Sequence, residues 1–379
     1  MALVILLPTY QRPETLQWSL ESVLRQNVSK ISEKRRIVIL NNDVATRSLV
    51  EKSVVTALRN VVGNEFNNVD VVQRDPPLLG VFNLYKGMEE FTRSGDIAII
   101  HGDDDLMLQN SLAERYLIAK ASPFALSITK ATGGCYFFRD SKNIHINDIN
   151  TLTPLSLSSE WRCASKGDLI DYCLPFVSAY TCKVGREFWS IYEQALGWAK
   201  ALPLEDKIRL PFLPFYIGVS AWKNAQLIVI PKMLIKRGQF LQLHGISPPR
   251  VITEYANTGI ILQTGLAVLN NEDLGTISEL NDLRKDFRNA TLEHLLSSLF
   301  RRDGVSLSQL AFIYRQTKIN WCSKELFLPI IHKNIRSLIR KGFGLSNLRN
   351  RMSGWGEELS PGDFWHIWEC GAKEDSRGK

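Results

Sequence analysis

The sequence predicts an α/β protein whose mostly parallel sheet is flanked by helices and followed by a helical C-terminal part. Short apolar runs alternate with segments of helical periodicity over the first third of the chain. From about residue 250 onward the pattern is mainly helical. The composition, with 379 residues, 45% hydrophobic and 22% charged, is typical of folded globular proteins and allows one large domain or two. We therefore predict one domain over residues 1–250 and a helical domain over residues 251–379.

The first third of the chain predicts four strands joined by helices. The predicted strands are 3–7, 36–40, 69–73 and 96–100, and the helices between them are 13–26, 48–58 and 81–93. In the first of these helices Leu16, Leu20, Val23 and Leu24 recur at helical spacing. This rhythm favours a doubly wound parallel sheet, in which ligands bind at the carboxyl ends of the strands. Polar residues directly after these strands are therefore candidate site residues.

The rest of the chain has a less regular pattern. Further strands are predicted at 124–129, 134–139, 178–185 and 227–236, with an irregular polar insertion at 140–170. Helices are predicted at 255–269, 279–300, 306–316 and 325–340, with Gly and Asn breaks between them.

Charge and composition exclude several classes of protein. The formal net charge of +7 is compatible with anionic partners. The chain has no nucleic-acid-binding motif, so we expect no nucleic-acid partner. No apolar run reaches the roughly 18 residues of a membrane-spanning helix, and the apolar N-terminus has the pattern of a first strand rather than of a signal peptide. The six cysteines form no CxxC pair, so free thiols in a reducing cytoplasm are expected.

The most informative motif is Asp-Asp-Asp at residues 103–105, directly after the predicted strand 96–100. Adjacent carboxylates repel one another and raise each other's pKa. A divalent cation relieves this repulsion, because hard carboxylate oxygens suit Mg²⁺ or Mn²⁺, and such a cation commonly binds phosphate oxygens as well. The alternative is a solvated turn that caps the helical stretch 108–121.

Four motifs in the first 250 residues belong together. The first is Leu-Pro-Thr-Tyr-Gln-Arg-Pro at 7–13, followed by Leu-Glu-Ser-Val-Leu-Arg-Gln at 20–26. The second is Gly-Val-Phe-Asn at 80–83 with Gly87, followed by Gly95, Asp96 and the three aspartates at 103–105. The third is Leu-Glu-Asp at 204–206. The fourth is Lys-Arg at 236–237 with Leu-His-Gly-Ile-Ser at 243–247. Together they resemble the family 2 glycosyltransferases, which are nucleotide-diphospho-sugar transferases with a Rossmann-like GT-A fold.

The resemblance implies a site for a nucleotide-diphosphate sugar, UDP-sugar by default, at the carboxyl ends of the strands. The residues implied for donor binding are Pro8, Thr9, Tyr10, Arg12, Asn41, Asp43, Asn83, Asp103 and Asp104. Asn41 stands where the family usually has an acidic residue that reads the base, and Asp43 falls later. Because an amide both donates and accepts, Asn41 can still pair with a base edge.

The resemblance also implies a site for Mn²⁺ or Mg²⁺. Asp105 is expected to ligate the cation that bridges the diphosphate, and Asp103, which faces the ribose and sugar, is included among the ligands. His244 is a candidate third ligand or diphosphate contact, the alternative being a structural histidine. Lys236 or Arg237 is a candidate partner for phosphate.

A general base is implied at Asp206, with Glu205 as the second choice. The acceptor hydroxyl must lose its proton as it attacks the anomeric carbon, and a carboxylate at a helix N-terminus is suited to accept it. The alternative is that the two residues only cap the helical segment 207–213.

The implied function is metal-dependent transfer of a single sugar to an acceptor hydroxyl, with inversion, in bacterial polysaccharide or glycolipid biosynthesis. The chain lacks the Gln-x-x-Arg-Trp motif of processive synthases, which favours single additions. One alternative is a sugar-nucleotide nucleotidyltransferase, although the loop 8–13 has none of the glycines that grip a triphosphate. The other is a catalytically inactive GT-A scaffold or binding protein.

The expected partners are the donor and a saccharide or lipid-linked acceptor. The basic, amphipathic stretch 333–351 either contacts a membrane surface or packs its apolar side on the domain. The aromatic tail at 355–368 either docks on the body of the protein or contacts a lipid-linked acceptor. We therefore expect a cytoplasmic protein, with a peripheral position on the inner face of the cell membrane as the alternative.

Overall fold

The computed structural model describes residues 1–61, 68–78, 80–138, 142–146, 149–152, 157, 160–172, 177–201, 213–241 and 357–370. The strands are β1 (Ala2–Thr9), β2 (Lys34–Asn41), β3 (Asn68–Gln73), β4 (Ile97–Ile100), β5 (Leu106–Met107), β6 (Leu126–Phe138), β7 (Ile144–Ile146), β8 (Arg162–Cys163), β9 (Tyr180–Lys183), β10 (Leu227–Leu241) and β11 (Glu357–Leu359). The helices are α1 (Pro13–Leu24), α2 (Arg47–Asn60), α3 (Gly80–Phe91), α4 (Ser111–Ala121), α5 (Lys166–Tyr172), α6 (Arg186–Ala201), α7 (Leu213–Lys223) and α8 (Pro361–Cys370).

The described strands form one mixed sheet in the order β11-β7-β6-β9-β4-β1-β2-β3. The β1–β2, β2–β3 and β1–β4 pairs are parallel, as the alternating pattern of the first third predicts. β9 runs antiparallel to both β4 and β6, and β10 lies parallel to β6. Parallel ladders hold most of the paired positions, so the predicted α/β class with a mostly parallel sheet is confirmed.

Burial explains why the first half folds this way. Side chains of β1, β2 and β4 pack against α1, α2 and α4 in one apolar cluster, with Leu3, Ile5, Leu16 and Leu20 fully buried. Pro13 stands at the start of α1, where its missing N–H costs no helical hydrogen bond. Since each fully buried aliphatic side chain contributes about 1.5–3 kcal/mol, this cluster fixes the strand ends that carry the site.

The two strands predicted at 124–129 and 134–139 are in fact one continuous strand, β6. The small residues between them do not end the strand, because β10 pairs beside it along its whole length. Register shifts in β10 near Ile230, Met233 and Lys236 absorb the irregularity. The insertion predicted to be irregular contains the short strands β7 and β8 and helix α5.

The aromatic tail docks on the body of the protein. β11 pairs antiparallel with β7 and extends the sheet. Behind it, α8 buries Phe364, Trp365 and Trp368 against Trp18 of α1 and the side chains of β6 and β7. Residues 1–243 and 352–379 form one compact unit.

The remaining residues, 244–351, form a second unit that lies outside the described part of the chain, as do the helices predicted from 255 onward. The predicted domain boundary at residue 250 therefore stays a prediction. Among the helices of the described residues, none is long and apolar enough to cross a membrane.

Candidate active site

The three carboxylates lie at the carboxyl end of β4, in the middle of the sheet. The β4 side chains Ile97 to Ile99 are fully buried, and the chain then turns sharply, with the Asp105 amide donating to the Gly102 carbonyl at 3.3 Å. This segment, residues 102–105, is called the carboxylate turn below. Because β1 lies next to β4 in parallel, the carboxylate turn faces the residues that follow β1.

Asp103 is buried against the end of β1. Its carboxylate accepts the Thr9 hydroxyl at 2.8 Å and the Tyr10 amide at 3.4 Å, and lies 3.6 Å from the Arg12 guanidinium. Burial and the neighbouring charge of Asp104 raise the pKa of Asp103 to about 7, although Arg12, Thr9 and Tyr10 act in the opposite direction. A positive charge bound beside Asp103 would therefore favour its ionised form.

Asp104 and Arg12 form the open side of the site. The Arg12 guanidinium donates to the Asp104 carboxylate at 2.6 Å, and its side chain is 44% exposed. One guanidinium thus contacts two of the three carboxylates. Of these two carboxylates, Asp104 is the more exposed, with 23% of its side chain accessible against 9% for Asp103.

Asp105 is held by two residues from distant parts of the chain. Its carboxylate accepts the Ser178 hydroxyl at 2.5 Å and the Gly238 amide at 3.2 Å. Ser178 in turn accepts the Gly102 amide at 2.6 Å, so it fixes the carboxylate and the backbone of the turn together. Hydrogen bonds of this kind orient carboxylates that ligate metals.

Gly238 allows the backbone of β10 to lie directly on the carboxylate turn. A Cβ atom at this position would stand 1.6 Å from the Asp104 carbonyl oxygen, far inside any possible contact. Neither Gly238 nor Ser178 is among the site residues predicted from the sequence. A usable signal is the single glycine within the run of β10, since glycine inside a strand often marks a close backbone approach.

Buried polar side chains of α1 and of Gln26, just after its end, support the carboxylate turn and the strand that follows it. Ser19 donates to the Gly102 carbonyl at 2.8 Å, and Ser22 accepts the Met107 amide at 2.9 Å. Gln26 donates to the carbonyls of Met107 and Leu108 at 3.3 and 3.0 Å. These three residues, spaced three and four apart among buried leucines, are the second set that sequence reasoning missed.

The predicted base-reading residue Asn41 is fully buried and hydrogen-bonded within the chain. Its amide donates to the Gln73 side chain at 2.8 Å and to the Asp43 carbonyl at 3.0 Å, and its oxygen accepts the Asp43 amide at 3.2 Å. The Asp43 carboxylate accepts the Ala45 amide at 3.0 Å and is half-buried. In this arrangement Asp43 is nearer to solvent than Asn41.

The other predicted donor residues lie at different depths. Pro8 is half-buried at the end of β1, whereas Tyr10 is 55% exposed. Asn83 is buried, donating to the Leu40 carbonyl at 3.0 Å and accepting from Arg74 at 2.9 Å. Asn83 therefore supports the end of β2 from within the fold.

Several predicted site residues cannot be placed. Glu205, Asp206 and His244 lie outside the described residues, and the Arg237 side chain is not described. Lys236 is buried in β10, within electrostatic reach of the Cys135 thiol, whose pKa burial raises.

The described residues fit part of a divalent-cation site. Within the described ranges, no group of three His, Cys, Asp or Glu side chains has the geometry to hold a metal. Burial, and after it the charge of Asp104, raises the pKa of Asp103, and a bound cation would favour its charged form. Mg²⁺ commonly binds through one or two carboxylates and completes its shell with phosphate oxygens and water, so a partial set suits this chemistry.

No family model and no curated protein matches the sequence. Among solved structures, the chain is similar to residues 1–349 of S. aureus TarS, with 11% identity, a TM-score of 0.46 and coverage of 89% of this chain and 92% of that chain. It is similar to the mannosyltransferase PcManGT from Pyrobaculum calidifontis, in complex with GDP-Man and Mn²⁺, with 11% identity, a TM-score of 0.44 and coverage of 88% and 87%. It is also similar to GalNAc-T7, solved with UDP, GalNAc and Mn²⁺, with 14% identity, a TM-score of 0.42 and coverage of 89% and 57%. At these identities and TM-scores the similarity assigns no activity to this chain.

Proposed function

We propose that this chain is a metal-dependent glycosyltransferase that moves a single sugar from a nucleotide-diphosphate sugar to an acceptor hydroxyl. The observation that carries the proposal is the 2.8 Å contact between Thr9, at the end of β1, and Asp103, in the carboxylate turn after β4. This contact joins the Pro-Thr-Tyr motif to the carboxylates at the carboxyl ends of two parallel strands, which is where α/β proteins bind their ligands.

The carboxylate turn supplies the residues for the cation. Asp105, oriented by Ser178 and Gly238, and Asp103 are the proposed ligands, with His244 as the third. When bound, Mn²⁺ or Mg²⁺ would neutralise the charge that develops on the leaving diphosphate. Arg12 holds Asp103 and Asp104 in place in the absence of ligand and is suited to pair with phosphate.

The remaining roles follow from position. The exposed Tyr10 ring offers a surface on which a nucleobase stacks, and Asp43 lies at the rim where the base would be read. Asp206, with Glu205 as the second choice, would take the proton from the acceptor hydroxyl. We propose inversion at the anomeric carbon, a saccharide or lipid-linked acceptor of bacterial polysaccharide or glycolipid synthesis, and a cytoplasmic location, with membrane-surface contact through 333–351 as the alternative.

A second candidate is a binding protein of the same fold without transferase activity. The observation that favours it is Asn41, whose side-chain donors and acceptor are all used within the chain. Such a protein would bind nucleotide weakly and release none from a sugar donor.

The test is release of nucleotide from UDP-, GDP- and dTDP-sugars by the purified full chain with Mn²⁺, with and without a mixed saccharide acceptor pool. We expect one donor to be consumed, and we expect Asp103→Asn to reduce its consumption by about 100-fold, as loss of a charge-stabilising group does. Asp70→Asn, which alters a half-buried carboxylate paired with Arg36 on β2, should leave it unchanged. Failure of every donor in folded protein would reject the transferase and favour the binding protein.

A further inference from the structure

A groove on a different face of α1 contains none of the residues proposed to bind the donor or the metal. It encloses a cavity of about 890 Å³, lined mainly by α1, α2 and the first turns of α8. Cavities of roughly 300–1,000 Å³ are the usual size of small-molecule sites. The α1 residues that line it, such as Gln17 and Glu21, point away from the serines that support the carboxylate turn. We call it the α1–α2 groove.

The floor of the α1–α2 groove is a buried carboxylate without a cationic partner. Glu21 is 3% exposed, and one of its oxygens accepts the amides of Gln17 at 2.9 Å and Asn60 at 2.8 Å. Within the described residues its other oxygen, Oε2, accepts no hydrogen bond, and no lysine or arginine pairs with the carboxylate. Burying a charged group in this way is costly unless it gains a donor. Oε2 is therefore positioned to accept a hydrogen bond from a ligand in the cavity.

The rim of the groove carries two lysines and one exposed acid, Glu14. Lys52 of α2 and Lys142 both line the cavity and are exposed. In the described part of the chain, neither ammonium group has an ion-pair partner. The two lysine ammonium groups can pair with a phosphate, and Oε2 of Glu21 can accept a hydrogen bond from a hydroxyl group. Together they suit a ligand that carries both groups.

The wall of the groove is aromatic and rigid. Trp18 and Trp365 stack with their ring centroids 5.6 Å apart. The Arg25 guanidinium lies 4.6 Å from the Trp365 ring and also pairs with Glu369. Because Trp365 is only 7% exposed, the half-buried Trp18 indole supplies most of the apolar surface of this wall. Such a rigid aromatic surface suits the C–H face of a sugar ring.

We propose that the α1–α2 groove binds a phosphorylated saccharide. Its ring hydroxyls donate to Oε2 of Glu21, its phosphate pairs with Lys52 and Lys142, and its ring lies against the indole wall. In the proposed transferase this ligand is a segment of the acceptor away from the reacting hydroxyl, a role that rests on the proposed function. The binding site itself does not depend on it.

The test is a calorimetric titration of the full chain, without nucleotide or metal, with glucose 6-phosphate, glucose and inorganic phosphate. We expect glucose 6-phosphate to bind at least about tenfold more tightly than either simpler probe. It alone has both hydroxyl groups for Glu21 and a phosphate for Lys52 and Lys142. Equal affinities for glucose 6-phosphate and inorganic phosphate would mean a nonspecific anion contact. That result, or no binding of glucose 6-phosphate, would overturn the proposal.

Two variants assign the contacts. Glu21→Gln keeps the oxygen that Gln17 and Asn60 contact and changes only Oε2. We therefore expect the affinity for glucose 6-phosphate to fall about tenfold, while the affinity for inorganic phosphate stays the same. The double variant Lys52→Gln with Lys142→Gln changes two exposed side chains and should lower the affinity for both glucose 6-phosphate and inorganic phosphate. It keeps the test valid if Glu21→Gln does not fold. Arg59→Gln is the control, because Arg59 lies on α2, as Lys52 does, but does not line the groove. Unchanged affinity in both variants would contradict the proposal, and nucleotide binding measured on the same proteins separates this failure from failure of the donor site.

Discussion

Trp368 donates its indole N–H to the carbonyl oxygen of Met107 at 3.2 Å, two residues after the last carboxylate of the site. The indole is fully buried, so this hydrogen bond joins α8 to the strand that leaves the carboxylate turn. Gln26, two residues after the end of α1, contacts the same carbonyl at 3.3 Å. Trp368 therefore supports, from more than 260 positions further along the chain, the strand that follows the carboxylate turn.

Replacing Trp368 tests this support. Trp368→Phe removes the hydrogen bond and leaves a cavity, so we expect the free energy of unfolding to fall by about 2–4 kcal/mol. Trp161→Phe, at a tryptophan that is 39% exposed, should change it by less than about 0.5 kcal/mol. Urea unfolding of both variants measures the difference. Equal, small effects would mean that α8 docks without supporting the fold.

A methyl group added at Gly238 should change the geometry of the carboxylate turn. In Gly238→Ala the new methyl group would overlap the Asp104 carbonyl, so β10 or the carboxylate turn must shift. We expect a loss of stability of about 1–3 kcal/mol and weaker binding of nucleotide with Mn²⁺. Gly362→Ala is the matched control, because its methyl group would meet nothing nearer than 3.9 Å. Wild-type binding by Gly238→Ala would show that β10 does not set the geometry of the turn.

We expect Ser178→Ala to lower metal affinity, and also to lower the free energy of unfolding by about 1–3 kcal/mol because the Gly102 amide loses its acceptor. Ser178→Ala removes the donor to Asp105 and the acceptor of the Gly102 amide. Loss of such an orienting contact typically lowers metal affinity by about 10–100-fold. Mn²⁺ titration of this variant beside Ser48→Ala, an exposed serine on α2, measures the effect. If both variants bind Mn²⁺ as the wild type does, Asp105 is not a metal ligand.

Asp103 predicts a pH dependence of stability in metal-free protein. Burial and Asp104 raise its pKa from 3.8 to about 7 on folding, so between these values the folded state binds more protons than the unfolded state. The contribution of Asp103 to the free energy of unfolding therefore falls as pH rises through this window, by at most about 1.4 kcal/mol per pH unit. His101 acts oppositely: burial and Arg115 lower its pKa to about 3, so its contribution falls as the solution is acidified below its ordinary value.

The variant Asp103→Asn isolates the first of these effects. Without the titrating group, its stability relative to wild type should increase as pH rises from 4 to 7 in EDTA, because the wild type alone loses stability there. Asp70→Asn, at a half-buried carboxylate of β3, should not show this increase. Urea unfolding across the pH series is the measurement, and parallel pH curves for wild type and Asp103→Asn would refute the assignment.

β1, β2 and β4 were predictable from sequence because each contains a short apolar run bounded by polar or proline residues, and β3 because its three valines lie in a short segment between polar residues. β1 and β2, for example, extend only one or two residues beyond their predicted ends. The carboxylate turn was predictable for the same reason, since three adjacent acids directly after a buried strand mark the point where that strand ends. Local pattern and tertiary structure agree there, because a central parallel strand is apolar throughout.

The supporting residues were not predictable, because their partners are distant in sequence. Ser178 reaches Asp105 over 73 positions and Gly238 over 133, and no local pattern encodes such a pairing. Asn41 shows the converse: its type suits base recognition, but Gln73 and Asp43 take up its hydrogen bonds. Whether a polar side chain faces a ligand or the fold depends on neighbours that only the structure supplies.

The central claim is that the carboxylate turn binds a nucleotide diphosphate through a metal ion. The most direct measurement is a calorimetric titration of the full chain with UDP, GDP and dTDP, each with Mn²⁺ and with EDTA, repeated on Asp105→Asn and Gly362→Ala. We predict that one nucleotide binds only with Mn²⁺, that Asp105→Asn weakens it by at least about tenfold, and that Gly362→Ala leaves it unchanged. No binding of any nucleotide to the folded protein, or binding that survives both EDTA and Asp105→Asn, would contradict the claim.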